Sequence, residues 1–141
     1  MDISDEEIMR AESTKPQFKS INFVVGDAHN LPFPKETFST VTSISSWHRF
    51  NDPERALWEA KKVLKPYGRL LILDRLRESR WNRFLERSVK LFDPFDAAQG
   101  KPNHILFLPE SFLERMLRQN GFARLSIVPS GTMTLFSAMK M

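Results

Sequence analysis

Four polar side chains lie at or just after the ends of short apolar runs, where strands are predicted to end. They are Asp27, Ser45, His48 and Asp74. A carboxylate can accept hydrogen bonds from a ligand, and a histidine can act as a general base near neutral pH. The simpler interpretation is that Asp27 caps a turn and that His48 is structural. The choice depends on the elements that carry these residues.

Three short strands are predicted to position these side chains, because their residues are mainly apolar or β-branched. They span residues 21–25, 41–45 and 70–73. The first and third are apolar on both faces, which is typical of parallel strands covered by helices. Asp52 and Pro53 are expected to begin a helix before the third strand, and residues 65–68 are expected to form a type I turn.

Further helices are predicted toward both ends of the sequence. Ser4 and Glu7 predict a capping box that begins an N-terminal helix, and Ser79 is expected to cap a later one. A helix over 109–119 is expected to end at Gly121, because glycine accepts the left-handed conformation. Two closing strands are expected to form an antiparallel hairpin, over residues 125–128 and 132–139.

This order of elements predicts an α/β fold, with a Rossmann-like, mostly parallel sheet and a C-terminal antiparallel hairpin. The chain has 141 residues, so residues 1–141 are expected to form a single domain. In such sheets, ligands bind beyond the carboxyl ends of the strands. The four polar side chains named above are therefore candidates for a binding site.

The composition excludes several classes of protein. There is no cysteine, which excludes disulfides and thiolate metal sites, and no metal site is predicted. No apolar run could cross a bilayer, and the acidic N-terminal residues do not resemble a signal peptide, so a cytoplasmic protein is expected. The net charge of +4 permits nucleic-acid binding. However, no RNA-recognition motif accompanies the arginines between residues 75 and 87, so nucleic acid is not the expected partner.

Several segments resemble the motifs of a known family. Phe-Val-Val-Gly-Asp-Ala at 23–28, followed by Leu-Pro-Phe at 31–33, resembles the adenine-side motif of class I S-adenosylmethionine-dependent methyltransferases. Other segments resemble later motifs of the family in the same order: 38–41 with 47–48, 52–57, 63–72 and 110–122. The similarity covers most of the chain, and the order of the motifs is more specific than any single motif.

The resemblance implies a cofactor, S-adenosylmethionine, and roles for five residues. Asp27 would accept from the adenine amino group, and Ala28 would lie against the adenine ring. Asp2 takes the acidic position that binds the ribose hydroxyls in the family. Ser45 and His48 would border the cofactor or the substrate. Methyl transfer depends mainly on positioning, so no catalytic residue is assigned, although His48 is a candidate general base.

The sequence also departs from the family pattern. Tyr67 stands where the family usually has glycine, and no two of the five glycines are close enough to form a G-x-G loop. With Asp2 at the ribose position, we expect a chain truncated before the Gly-rich motif, lacking the first strand, the Gly-rich loop and the first helix. That loop lets the main chain approach the cofactor, which only glycine permits sterically.

Two functions therefore stay open. The first is methyl transfer to an unknown acceptor, expected to be a small molecule, with an incomplete cofactor site in this chain. The second is a non-catalytic remnant of the methyltransferase fold that acts through self-association or partner binding. The strand at 21–25 would lack its usual neighbours, so we expect it to pair with the strand at 41–45 or with a second copy of the chain.

Overall fold

The computed structural model describes residues 1–14, 20–75, 110–131 and 133–141. Within these ranges the helices are α1 (Asp5–Ser13), α2 (Pro53–Val63) and α3 (Glu110–Gln119). The strands are β1 (Phe38–Ile44), β2 (Leu64–Asp74), β3 (Phe122–Ser130) and β4 (Met133–Lys140). A short 3-10 turn over Trp47–Arg49 follows β1. The helix predicted after Ser79 lies outside the described residues.

The four strands form one mixed sheet in the order β1-β2-β4-β3. β1 and β2 are parallel, and β4 is antiparallel to both β2 and β3. The predicted α/β fold with a closing antiparallel hairpin is therefore confirmed. The fraction of strand pairs that are antiparallel is larger than expected, because the segment at 21–25 does not join this sheet.

The N-terminal segments form only a minimal parallel contact. Val25 makes an isolated bridge with Asp2, in which the Gly26 N–H donates to the Asp2 carbonyl oxygen at 2.8 Å. Ile21 is 41% exposed and Val25 is 46% exposed. The prediction of a strand buried on both faces at 21–25 is wrong for the described residues, and so is its pairing with β1. A strand needs a neighbouring ladder, and the pattern of apolar residues alone does not supply one.

The helix α2 follows its sequence signals closely. The Asp52 carboxylate accepts a hydrogen bond from the Arg55 N–H at 2.9 Å, and Pro53 occupies the first turn. The apolar face of α2 packs with α3 and the sheet in one core. The core includes Leu57, Ala60, Leu64, Leu70, Ile72, Leu113, Leu117 and Phe136. This packing fixes the ends of β1 and β2 relative to α2.

The predicted type I turn at 65–68 is wrong in type. Phe38 pairs with Leu64, and Thr40 pairs with Arg69. Residues 65–68 therefore bulge out of the β1–β2 ladder between these two pairs. Tyr67 has a φ of +61°, and a type I turn has no positive φ at that position. Gly121 has a φ of +75° and ends α3 as predicted.

Candidate active site

The carboxyl ends of β1 and β2 lie at one edge of the sheet, because the two strands are parallel. Ile44 pairs with Leu73, and the N–H of Ser45 donates to the Leu73 carbonyl oxygen at 2.9 Å. The 3-10 turn follows at once and carries His48 back over the end of β2. The structure thus brings Ser45, His48 and Asp74 together at this edge.

His48 and Asp74 form a close side-chain pair. The imidazole Nδ1 lies 2.6 Å from Oδ1 of Asp74, and the His48 N–H donates to Oδ2 at 3.2 Å. The Asp74 side chain is 2% exposed and that of His48 is 12% exposed. Arg49 Nε donates to His48 Nε2 at 3.4 Å. These two side-chain hydrogen bonds place the imidazole proton that Asp74 accepts on Nδ1 and an acceptor lone pair on Nε2.

Asp27 belongs to a second histidine–aspartate pair. Its Oδ1 accepts from the His29 N–H at 2.9 Å and from His29 Nδ1 at 2.7 Å. These two hydrogen bonds, the backbone one first, lower the pKa of the Asp27 carboxyl group. The side chain is nevertheless 45% exposed. Asp27 therefore caps a turn, as the simpler interpretation held, and also presents an ionised carboxylate to solvent.

Asp2 lies beside the segment that leads to Asp27. The Asp2 N–H donates to the Val24 carbonyl oxygen at 3.2 Å. The segment that contains Asp2 therefore runs parallel to the segment that leads to Asp27. The exposed Asp2 carboxylate accepts from the Ser4 N–H at 2.9 Å. The predicted capping box would have the Ser4 N–H donate to the Glu7 side chain, but this N–H donates to Asp2 instead, so only half of the capping box forms. Ser4 Oγ does accept from the Glu7 N–H at 3.3 Å.

Aromatic side chains connect the two histidine–aspartate pairs. The His29 ring meets the Phe50 ring edge-on at 5.6 Å between centroids, and Phe50 lies 5.2 Å from the Trp47 ring. Trp47 is buried and immediately precedes His48. Ala28 is partly buried against the same core. All five residues predicted for the site thus lie on the N-terminal segments or at the adjoining strand ends.

Glu59 holds the loop between these segments onto α2. Its buried carboxylate accepts from the Leu31 N–H at 3.1 Å and from Arg55 at 3.2 Å, and it also pairs with Lys62. Sequence reasoning missed Glu59, because an acidic residue on a helix normally faces solvent. It also missed His29, although an aspartate two residues before a histidine is a recognisable turn signal. Asp74 was expected at the edge, but not its pairing with His48.

Two further observations concern metal ions and membranes. Among the residues that the structure describes, no group of three or more His, Cys, Asp or Glu side chains could hold a metal ion. Within the same residues, no helix is long and apolar enough to cross a membrane.

Known proteins are similar to this chain in sequence and in fold. The methyltransferase-domain family matches residues 1–72, which is half of the chain. The demethylmenaquinone methyltransferase of Thermotoga maritima is 43% identical over 65 residues, or 46% of this chain. The ubiquinone/menaquinone biosynthesis C-methyltransferase UbiE of Teredinibacter turnerae is 34% identical over 73 residues, or 52% of this chain. Each match spans 28% of the relative's own length.

A solved structure shows the same fold. A SAM-dependent methyltransferase of Thermotoga maritima, named as a possible histamine N-methyltransferase, superimposes with a TM-score of 0.79 at 21% identity. The superposition covers 99% of this chain and 71% of that chain. The family match and the shared fold confirm the resemblance drawn from the motifs. The chain therefore belongs to the methyltransferase-domain family.

Proposed function

We propose that this chain takes part in the transfer of a methyl group from S-adenosylmethionine to a small-molecule acceptor. The observation that carries the proposal is the bridge between Asp2 and Val25, which sets the carboxylates of Asp2 and Asp27 at one edge of the molecule. The family match over residues 1–72 supports the same reaction class. We also propose the cytoplasmic location that the sequence predicts, and cell fractionation can check it.

The residues present fit the adenosine part of the cofactor. Asp27 offers an ionised and half-exposed carboxylate, which can accept from an exocyclic amine. Asp2 offers an exposed carboxylate on a segment that main-chain hydrogen bonds hold in place, and this can accept from hydroxyl groups. Ala28 supplies an apolar side chain beside them. When bound, the cofactor would supply an electrophilic methyl group, which mainly has to be positioned.

The pair of His48 and Asp74 would serve the acceptor. Asp74 accepts from Nδ1 and so leaves Nε2 as the acceptor atom of the imidazole; once released from Arg49, whose Nε donates to it at 3.4 Å, Nε2 would take a proton from a group that is being methylated. This role suits an acceptor that loses a proton on methylation, such as a hydroxyl group or an activated ring carbon. Ser45 lies at the same edge and would border the acceptor. Because two relatives are named for demethylmenaquinone and for ubiquinone/menaquinone, a quinol is the first acceptor to test.

Calorimetric titration with S-adenosylmethionine and with its demethylated product tests the proposal. We expect measurable heat of binding for the wild-type chain, and an affinity at least about tenfold lower for Asp27→Asn, because one charge-assisted hydrogen bond is lost. Asp5→Asn is the matched control, since Asp5 lies in the first turn of α1. An absence of heat at high ligand concentration, or equal loss in both variants, would contradict the proposal.

The second candidate, a non-catalytic protein that self-associates, is supported by the exposure of the segment at 21–25. Ile21 and Val25 expose apolar side chains, and among the described strands β1 pairs with β2 alone. Exposed apolar segments next to an open strand edge favour pairing with another chain. Sedimentation equilibrium should then show a dimer that Val25→Lys disrupts and Val128→Lys, on β3, does not. A monomer at all concentrations would exclude this candidate.

A further inference from the structure

A small pocket lies apart from the candidate active site. It is open to solvent and has a volume of about 280 Å³, and four of its lining residues are lysines. We name it the lysine pocket and define it by Lys35, Lys61, Lys62, Lys140, Glu36 and Trp58. We propose that it binds the phosphate group of a small molecule, as a monoester or a pyrophosphate.

The lysine pocket is at the opposite edge of the sheet from His48. Lys35 and Glu36 precede β1, and the Lys140 ammonium donates to the carbonyl oxygen of Leu64, the first residue of β2, at 2.6 Å. Since β1 and β2 are parallel, their amino ends and their carboxyl ends lie at opposite edges. The proposal therefore does not depend on the proposed function, and either one can fail alone.

The charges in this pocket are only partly balanced. Lys62 pairs with the buried carboxylate of Glu59, and Glu36 lies 3.7 Å from the Lys140 ammonium. Four lysines set against these two carboxylates leave an excess of two positive charges. The Lys140 side chain is 13% exposed, so part of this charge is removed from water. Lys62 and Lys140 have these carboxylates as counter-ions, so the excess positive charge lies on Lys35 and Lys61.

Capping of helix ends accounts for only part of the excess. Lys61 donates to the carbonyl oxygen of Asn120 at the end of α3, and Lys140 donates to that of Leu64 at the end of α2. Each helix C-terminus is equivalent to roughly half a negative charge, so the two ends offset about one lysine. Lys35 precedes β1 and caps neither of these helices. About one positive charge remains for a ligand.

The lining also indicates the class of anion. Each ammonium group has three N–H donors, and main-chain carbonyls occupy one donor of Lys61 and one of Lys140. Lysines are point charges that suit phosphate oxygens. Trp58 is 48% exposed, and Arg55 and the Lys62 ammonium lie over its ring at 4.7 Å and 5.6 Å from the centroid. The part of the ring that these cations leave uncovered adds an aromatic wall against which the organic part of a phosphate ester can pack. The volume of about 280 Å³ lies just below the usual range of ligand sites, roughly 300–1,000 Å³, so a small molecule is favoured over a polymer.

The test is a calorimetric titration of the full chain with pyrophosphate at constant ionic strength. We expect saturable binding to the wild type, binding at least about tenfold weaker in Lys61→Gln and in Lys140→Gln, and near-wild-type binding in Lys140→Arg. Lys65→Gln is the matched control, because Lys65 is exposed and lies outside the pocket. An absence of saturable heat, or an equal loss in Lys65→Gln, would overturn the proposal.

A second measurement covers variants that fail to fold. In the wild-type chain, pyrophosphate should shift the NMR signal of the Trp58 indole, while that of the buried Trp47 indole stays unchanged. Equal shifts at both indoles, or the same shift with potassium chloride at matched ionic strength, would show a general salt effect and refute the site. Tighter binding of a short single-stranded RNA, lost in the same lysine variants, would overturn the small-molecule assignment.

Discussion

Asp74 holds His48 through both of its carboxylate oxygens, one on the imidazole Nδ1 at 2.6 Å and one on the main-chain N–H at 3.2 Å. Asp27 and His29 repeat the same pair of residue types, but only one carboxylate oxygen makes both contacts and the pair is more exposed. The two pairs therefore allow a comparison, within one protein, of how burial changes the contribution of a histidine–aspartate pair to the free energy of unfolding.

His48→Ala should cost more stability than His29→Ala. Without the imidazole, the buried Asp74 loses its ring partner, which we expect to cost about 2–3 kcal/mol. His29→Ala should cost about 0.5–1 kcal/mol, because water can replace the ring beside the half-exposed Asp27. Urea denaturation of the two variants measures both losses. Equal losses would show that burial of the Asp74 carboxylate has no energetic consequence.

Asp27→Asn should lose stability in a manner that depends on pH. Hydrogen bonds from His29 hold the pKa of Asp27 below its ordinary value of 3.8, so the ionised form stabilises the fold above that pH. This contribution is lost as the pH falls through the folded-state pKa. After allowance for exposure, we expect a deficit of about 0.5–1 kcal/mol at neutral pH that shrinks below pH 3.8. A deficit that does not change with pH in urea denaturation would contradict this account.

Tyr67→Gly should stabilise the chain. Tyr67 has a φ of +61° and an exposed side chain, so glycine removes backbone strain at little cost in packing. Because glycine also gains freedom in the unfolded chain, the net gain should be about 0.5–1 kcal/mol.

The neighbouring glycine provides the control for Tyr67→Gly. A Cβ at Gly68 would lie 2.9 Å from the Lys65 carbonyl oxygen, so Gly68→Ala should cost about 1–3 kcal/mol. Thermal unfolding of the two variants should move in opposite directions. A lower melting temperature for Tyr67→Gly would show that the left-handed tyrosine is not strained.

Glu59→Ala should loosen the loop that contains Leu31. The variant removes the acceptor of the Leu31 N–H and leaves Lys62 without its carboxylate, at a cost of about 2–3 kcal/mol. Hydrogen exchange at the Leu31 amide should become faster than in the wild type. Glu54→Gln, on the exposed side of the same helix, is the control and should leave that exchange rate unchanged.

The parts of the fold that depend on local chemistry were predictable from the sequence. Asp52 begins α2 and Gly121 ends α3, because capping and a left-handed φ involve only neighbouring residues. The segment at 21–25 was not predictable in this way. Its apolar residues would suit a buried strand, but a strand exists only where another segment pairs with it, and the pattern carries no information on that partner.

The candidate site divides in the same way. Parallel strand ends meet at one edge, so the meeting of Ser45, His48 and Asp74 followed from the predicted topology. The pairing of His48 with Asp74 joins residues 26 positions apart and depends on the 3-10 turn that reorients His48. Short-range patterns do not encode such a contact. The same limit explains why Glu59 was missed, since its partner Leu31 is 28 positions away.

The position of β4 between β2 and β3 has a consequence for synthesis on the ribosome. β2 is synthesised well before β4. The edge of β2 from Arg69 to Asp74 therefore has no hydrogen-bonding partner until residues 134–139 have been synthesised. β3 likewise has no partner among the described strands until the same residues emerge. A nascent chain therefore exposes one open edge of β2 and the whole of β3 at once, and the strand translated last of the four pairs with both.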